Sequence, residues 1–435
     1  MHHIFTINST MKRVFVIFLS FVLLPGLMGQ TLRLEQCYEA AKNNYPLIKQ
    51  YELIEKSKKY NLDYAVKAYL PQLSLNAGAS WQSDITEFPE SFTTLIDRLG
   101  IDDISFPDHD RYQVVLDLYQ SLWDGGVTEY RRKLIKARTE VEKQNLEINL
   151  YALYSRINDL YFGILLLNEQ LIQNELLNKE LQRNCDRVES LVAQGVANEQ
   201  DVHKIKVEML NREQVESEMK STKKIFMMAL SLFIGQELND STEFERPSPL
   251  SLENYHGIRP ELSLFEIQNR QFDVQKKGLY SKGMPRIGLF AQGAYANPGL
   301  NMFESGFSPY FIGGIRLSWQ FGALYTLNDE QKEIENNKNA VAIQKELFLF
   351  NQKQTLLKYQ TEIEKNKQLI LKDEEIIALR EKILLMSEVK TENGTLSMND
   401  FLQDVLLTDA ARQNKAIHEM QLLRSMYQYK IESGF

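Results

Sequence analysis

Residues 70–81 read LPQLSLNAGASW, and the same design returns at residues 284–295 as MPRIGLFAQGAY. Each copy opens on a proline and then alternates apolar with small or polar residues, which predicts a β-strand with two different faces. A second alternating run follows each copy, at about 111–123 and about 309–320. A unit duplicated in this way cannot close a hydrophobic core alone, so the copies must pack together.

Each pair of strands precedes about 70 residues of helical pattern, a glycine turn and a further helix. The first long helix is predicted to end near Ala193, and the second is predicted over about Leu324 to Thr391. A helix of roughly 68 residues spans about 100 Å at 1.5 Å per residue. Helices of that length suit a fibre, a bridge or a tunnel rather than a globular core.

Two apolar seams predict that these helices pack as coiled coils. In the first seam the residues are spaced alternately four and three apart, and in the second they are seven apart. Such spacing keeps one apolar line facing a partner helix. The seams are Leu146, Leu150, Leu153, Ile157, Leu160, Ile164, Leu167 and Leu171, then Leu356, Ile363, Ile370, Ile377 and Leu384.

The 435 residues divide into four predicted segments. Residues 1–29 are expected to be a secretory signal peptide, because two basic residues precede an apolar run and a small-residue cleavage site. Residues 30–234 are the first structural repeat, of helix, two strands, long helix, turn and helix. Residues 235–258 are the linker, and residues 259–435 are the second repeat of the same design.

Composition argues against several classes of protein. The formal net charge of −8 disfavours a nucleic-acid partner. After the N-terminus no apolar run approaches the roughly 18 residues of a membrane-spanning helix, so strands must make any membrane crossing. Cys37 and Cys185 are expected to be free thiols, with a disulfide between them as the alternative.

No residue pattern supports an enzyme. The histidines are not paired at the spacing of metal ligands, and the sequence shows no phosphate loop, nucleophile elbow or cysteine–histidine set. We therefore expect no catalytic residue, no metal and no cofactor. Any ATP hydrolysis or proton coupling would come from a partner protein.

The two faces of the strands predict where a membrane lies. One face is apolar with aromatic residues near its ends, as lipid requires, and the other is polar, as a wet lumen requires. A half-buried soluble sheet is the alternative. Four strands cannot enclose water, and sheet edges cannot stay open in lipid, so several protomers must pool their strands. The polar face comprises Ser74, Asn76, Ser80, Gln113, Asp117, Gln292, Arg316 and Ser318; the apolar face includes Leu73, Leu75, Val114, Leu116, Leu289, Ile315 and Leu317.

With these features the chain resembles the TolC family of outer-membrane efflux proteins over essentially its whole mature length. The run Gln120-Ser121-Leu122-Trp123-Asp124-Gly125-Gly126 is similar to the family's strand-to-helix junction, and Ser318-Trp319-Gln320-Phe321-Gly322 is a shortened copy. The two turns match the family pattern Gly-x-x-Ser/Thr-x-x-Asp, with Asn198 replacing the Ser or Thr of the first. They read Gly195-Val196-Ala197-Asn198-Glu199-Gln200-Asp201 and Gly394-Thr395-Leu396-Ser397-Met398-Asn399-Asp400.

This resemblance implies an α+β membrane protein that works as a homotrimer. Four transmembrane β-strands per protomer would contribute to a twelve-stranded β-barrel in the lipid of the cell outer membrane. The long antiparallel helical hairpins would form an α-barrel tunnel that extends into the periplasm. The tunnel would dock on a periplasmic adaptor (membrane fusion) protein, which links it to an inner-membrane pump.

We therefore expect an outer-membrane channel, the exit duct of a tripartite efflux or type I secretion system. It would conduct substrates passively from the periplasm or the pump to the exterior. The alternative is a periplasmic coiled-coil adaptor or scaffold without a pore. Adaptors usually carry one helical hairpin flanked by β domains, whereas this sequence predicts two hairpins, each preceded by two strands, which favours the channel.

Site residues are expected at the two turns. Glycine can end a helix in the left-handed conformation, and Asn198 and Ser397 suit the N-cap of the next helix. By resemblance, Asp400 lines the closed periplasmic entrance, where three copies would form an acidic ring. A plain acidic residue in the first helical turn is the alternative. The family's second aspartate is replaced by Gln403. The expected gate residues are Asp400, Asp201, Gln403 and Asp404, and the expected adaptor-docking tips are Gly195, Val196, Ala197, Asn198, Gly394, Thr395, Leu396 and Ser397.

Overall fold

The fold is taken from a computed structural model, which describes residues 31–85, 89–100, 108–251, 257–301, 304 and 306–434. The predicted signal peptide lies outside the described residues. The elements in chain order are β1 Thr31–Leu32, α1 Leu34–Asn44, α2 Gln50–Val66, β2 Gln72–Trp81, α3 Glu90–Leu99, β3 Asp110–Trp123, α4 Val127–Ala193, α5 Glu199–Ile234, β4 Glu243–Phe244, α6 Pro260–Leu279, β5 Arg286–Asn297, β6 Ser308–Ser318, α7 Leu327–Glu392 and α8 Met398–Ser433.

The chain forms two compact units, and each takes segments from both predicted repeats. The repeat boundaries drawn from the sequence therefore remain a prediction. The first unit contains the described parts of Met1–Asn44, Ser155–Ser251 and Glu362–Tyr427, and the second those of Tyr45–Tyr154, Leu252–Thr361 and Gln428–Phe435.

The two very long helices are present, with 67 residues in α4 and 66 in α7. In the second seam Ile363 is buried, but the other members stay partly exposed. None of the described helices is both long and apolar enough to cross a membrane. The buried members of the first seam are Leu146, Leu150, Leu153, Ile157, Ile164 and Leu167.

The second unit contains a four-stranded antiparallel sheet of order β2-β3-β5-β6. Its register aligns Leu75 with Leu116 and Leu289 with Ile315, so the predicted apolar residues share one face. The last strand ends at Ser318, before the predicted end. Trp319 leaves the strand and donates its Nε1 hydrogen to the carbonyl oxygen of Gly283 at 3.0 Å.

The first unit has its core beside α1 and the short parallel pair β1–β4. The hydroxyl of the buried Tyr161 lies 2.7 Å from the carbonyl oxygens of both Leu32 and Glu245, next to each of these short strands. Cys37 and Cys185 are free and buried, as expected from the sequence. Burial raises the pKa of Cys37 to about 12, which keeps this thiol protonated and unreactive.

Candidate functional site: the tips of the helical hairpins

Two short turns join the long helices to their partners, and both belong to the first unit. We call residues 194–198, between α4 and α5, the first tip, and residues 393–397, between α7 and α8, the second tip. Gly195 and Gly394 adopt left-handed φ angles of +74° and +68°. A Cβ atom on either glycine would meet nothing within 4 Å. Backbone conformation, rather than lack of space, therefore requires glycine here.

Matching hydrogen bonds close the two long helices. The Val196 N–H donates to the Leu191 carbonyl oxygen at 2.9 Å, and the Thr395 N–H donates to the Lys390 carbonyl oxygen at 2.8 Å. Both bonds satisfy carbonyl groups that the end of a helix leaves without an internal partner. The glycine turn therefore ends the long helix in the same way in both hairpins.

The partner helices begin with two different caps. In the first tip Asn198 Oδ1 accepts the Gln200 N–H at 3.0 Å. In the second tip Ser397 Oγ accepts the Asp400 N–H at 3.2 Å and donates to Asp400 Oδ2 at 2.7 Å. In the second arrangement the N-cap hydroxyl caps the helix and also binds the carboxylate at the third helical position.

The predicted docking residues divide into an exposed set and an inward set. Ala197 and Leu396 pack against a buried cluster that α4, α5 and α8 share. Val196 is 72% exposed. The other exposed members are Gly195, Asn198, Gly394, Thr395 and Ser397.

The four predicted gate residues have four different surroundings. Asp201 lies 3.1 Å from Lys204 Nζ, whereas Asp400 is exposed and makes no ion pair with a described residue. Gln403 lines an open groove of about 540 Å³ between α5 and α8. Asp404 accepts the Ser387 hydroxyl at 2.5 Å, so it bonds to α7. Asp404 is therefore engaged within its own hairpin, and Asp400 is the carboxylate that stays open to solvent.

Sequence reasoning missed Arg187 on α4. Its guanidinium lies 3.3 Å from Glu388 Oε1 and 2.6 Å from Glu392 Oε1, both on α7, and it donates to Asn184 Oδ1 at 2.9 Å. It therefore ties the first hairpin to the second a few residues behind the tips. Charged residues are frequent along both long helices, so the sequence contains no signal that selects this one.

Asp409 on α8 is a second residue that the sequence did not indicate. Its side chain is buried, and that burial raises the pKa of its carboxyl group. Gln413 Nε2 donates to Asp409 Oδ2 at 2.8 Å, and the nearby guanidinium of Arg212 acts in the opposite direction on the pKa. Over the described part of the chain, no group of three or more His, Cys, Asp or Glu side chains could hold a metal ion.

The chain thus contains a four-stranded sheet, whose outer strands pair with no further described strand, and two long helical hairpins with matched tips. Residues 37–236 match the family described as outer membrane efflux protein. This match covers slightly less than half of the chain and shows its similarity to that family. The resemblance seen in the sequence is thereby confirmed.

Solved structures extend the likeness in fold to most of the chain. The outer membrane protein VceC of Vibrio cholerae matches with a TM-score of 0.63 and 14% identity, over 92% of this chain and 96% of that one. The CmeC outer membrane channel of Campylobacter jejuni matches with a TM-score of 0.62 and 14% identity, over 92% and 86%. The open state of the MtrE outer membrane channel of Neisseria gonorrhoeae gives 0.62 and 12%, over 92% and 89%. No functionally curated protein gives a significant match by sequence.

Family and fold together support an efflux exit duct in the outer membrane that extends into the periplasm. They do not favour the adaptor or scaffold alternative. The matched structures are outer-membrane proteins, and each match covers most of both chains. The family is one of ducts and not of enzymes.

Proposed function

We propose that this chain is the outer-membrane exit duct of a tripartite efflux or type I secretion system, and that it conducts substrates passively as a homotrimer. The observation that carries the proposal is the four-stranded sheet with apolar side chains along one face. Its outer strands, β2 and β6, have no second partner strand in the described chain. Backbone groups at such edges cannot stay unpaired in lipid, so strands of neighbouring protomers would complete the sheet.

The surface of α7 supports assembly with further copies. Large apolar side chains remain exposed at intervals along this helix in the single chain, and monomeric proteins rarely leave so much apolar surface uncovered. A neighbouring protomer would bury it in a closed ring. The exposed residues include Ile343, Leu347, Phe350, Leu357, Leu371, Leu379 and Met386.

The tips are the proposed docking site for a periplasmic adaptor that leads to an inner-membrane pump. Both tips end in a capped helix start, and Val196 offers an exposed apolar contact. Opening of the tunnel would require the hairpins to separate near the tips. Separation breaks the ion pairs of Arg187 with Glu388 and Glu392, so an adaptor that binds the separated state would shift the equilibrium towards opening.

Asp400 is the proposed gate residue. Three copies around the trimer axis would place three exposed carboxylates at the periplasmic entrance, where they attract cations. The hydrogen bonds to Ser397 hold each carboxylate at the helix start and do not neutralise its charge. The same bonds also fit the alternative role of a first-turn acid, so function has to be tested separately from stability.

The test joins a mass measurement to a conductance measurement on one sample. We expect the detergent-extracted mature protein to be a trimer by light scattering and to give discrete conductance in a planar bilayer. Asp400→Ala should lower the cation preference of that conductance, while Asp201→Ala should change it less because Lys204 already neutralises Asp201. A soluble monomer or dimer without conductance would contradict the duct and favour an adaptor or scaffold.

A further inference from the structure

Three arginines occupy the polar face of the four-stranded sheet. The register aligns Arg111 with Ser80, Arg286 with Ser318, and Arg316 with Gly288. Because side chains alternate along each strand, these arginines share the face of Asp117 and lie opposite the face of Leu75 and Ile315. Arg111 lies near the strand ends that continue into the β2–β3 connection, and the other two lie near the strand ends joined to the helices.

The polar face is also the crowded face. Val115 and Ala296, which belong to it, are each only 5% exposed, whereas Leu75 and Ile315 on the apolar face are 70% and 71% exposed. The arginines lie on this face, which is the one that faces a wet lumen when the apolar face of the strands is turned to lipid.

The charge on this face is mostly unneutralised. None of the three arginines makes an ion pair with any described residue, and the Arg316 guanidinium instead lies 4.7 Å from the centroid of the Phe290 ring. Asp117 is the one acidic residue on this face of the four strands, and it accepts hydrogen bonds from Asn76 Nδ2 at 3.0 Å and Gln292 Nε2 at 3.1 Å. Each protomer thus presents three positive charges against one negative charge.

Arg111 also has a binding geometry. It lines a cavity of about 490 Å³ with Ser80, Gln82, Gln113 and Tyr310, and no described Asp or Glu lines this cavity. Its Nε is buried and lacks a hydrogen-bond acceptor among the described residues. A buried donor without an acceptor is unfavourable, and an oxyanion would satisfy it. Guanidinium groups bind carboxylates and phosphates through paired hydrogen bonds, which suits this fork of donors.

We propose that the barrel lumen selects anionic solutes, and that the Arg111 cavity is a subsite for a carboxylate or phosphate group on its way out. This inference rests on the proposed function, because it requires the sheet to line a channel. The duct would then have an acidic entrance at Asp400 and a basic barrel. Cargo bearing a carboxylate or phosphate would be drawn through the barrel by charges that the tips do not provide.

The reversal potential of the trimer in a planar bilayer under a KCl gradient tests this proposal. Asp400→Asn serves as the background, because it removes the entrance charge. In that background we expect chloride to be preferred over potassium. Combined Arg111→Gln, Arg286→Gln and Arg316→Gln should lower the chloride-to-potassium permeability ratio by about twofold or more, since confined charge concentrates its counter-ions. Arg131→Gln, on α4 outside the strands, is the matched control and should leave the ratio unchanged.

A second readout uses citrate, a small tricarboxylate, added to the exterior side. Citrate should block the current, and Arg111→Gln alone should raise the half-blocking concentration severalfold, while Arg131→Gln should not. Light scattering would detect a triple variant that fails to assemble. The single variant Arg111→Gln keeps the test decisive in that case. In the Asp400→Asn background, a preference for potassium with all three arginines intact, or citrate block that is insensitive to Arg111→Gln, would overturn the inference while the duct stands. No conductance in any variant would overturn the duct and the inference with it.

Discussion

The first tip and the second tip stop their long helices with the same backbone but present different charges to solvent. Gly195 and Gly394 share the left-handed conformation, and both following helices are capped by a side chain. In the first turn of α5 Asp201 pairs with Lys204, whereas Asp400, at the same place in the first turn of α8, makes no ion pair with a described residue. The duplicated unit therefore keeps what the turn geometry requires and varies what faces solvent or a partner.

The side chains behind the tips differ in the same way. Val202 and Phe401 hold equal places, each directly after the aspartate of its tip, and both are buried in one shared cluster. The aromatic ring fills more of that cluster than the valine does. The second hairpin consequently supplies both the larger buried side chain, Phe401, and the unpaired carboxylate, Asp400, and we expect it to dominate the stability and the selectivity of this end.

The largest expected effect comes from truncating this larger buried side chain. Phe401→Ala should lower the free energy of local unfolding by about 3–5 kcal/mol, because it leaves a cavity in the cluster. Val202→Ala should lower it by about 1.5–3 kcal/mol, since less apolar volume is lost. Hydrogen exchange of the first turns of α5 and α8 would measure both. Equal losses would contradict the dominance of the second hairpin.

The glycines should show equal effects in the two tips. Gly195→Ala and Gly394→Ala should each lower the free energy of local unfolding by about 1–2 kcal/mol, because an alanine is strained at a left-handed φ. Gly322→Ala is the control, since Gly322 has an ordinary φ and open space around it. Thermal unfolding and hydrogen exchange would compare the three variants. If either tip keeps its free energy of local unfolding when alanine replaces glycine, that turn can adopt another backbone conformation.

Removing the caps should have a smaller effect. Asn198→Ala and Ser397→Ala should each lower local stability by about 1 kcal/mol, with Ser397→Ala at the larger end because it breaks two hydrogen bonds to Asp400. Ser397→Thr should restore most of the loss, because threonine also caps a helix. The helix content and exchange rates of the first turn of α8 would report the change. A threonine variant no better than alanine would argue against the capping role.

The smallest expected effect is a pH dependence located behind the second tip. Burial raises the pKa of Asp409, so the folded state binds this proton more tightly than the unfolded state. Stability should therefore fall as pH rises from the unfolded-state pKa of about 4 through the higher folded-state pKa. Asp409→Asn should flatten that fall in unfolding experiments across this range, while Asp400→Asn should not. An unchanged profile for Asp409→Asn would assign the dependence to other groups.

Much of the fold could be predicted because its signals are local. Alternation of apolar with small or polar residues predicted the four strands of the large sheet. Apolar residues repeated every seven positions predicted α4 and α7, and Gly195 and Gly394 predicted the positions of the tips. Orientation was harder to predict. Asp404 bonds to Ser387 on α7, and Asp409 is buried, although both lie within three helical turns of the exposed Asp400. Rotation of a helix about its axis decides such differences, and the partners that fix this rotation lie far away in sequence.

The sequence by itself determined the helix and strand pattern, the duplicated strand-and-hairpin design and the glycine stops, since each depends on a few neighbouring residues and on backbone sterics. Only the tertiary structure decided which charged side chains form ion pairs and which remain without one. Arg187 finds its partners about 200 residues away on α7. Arg111, Arg286 and Arg316 share one face because the register of four strands aligns them. Packing between distant segments sets these pairings, so no short stretch of the chain can specify them.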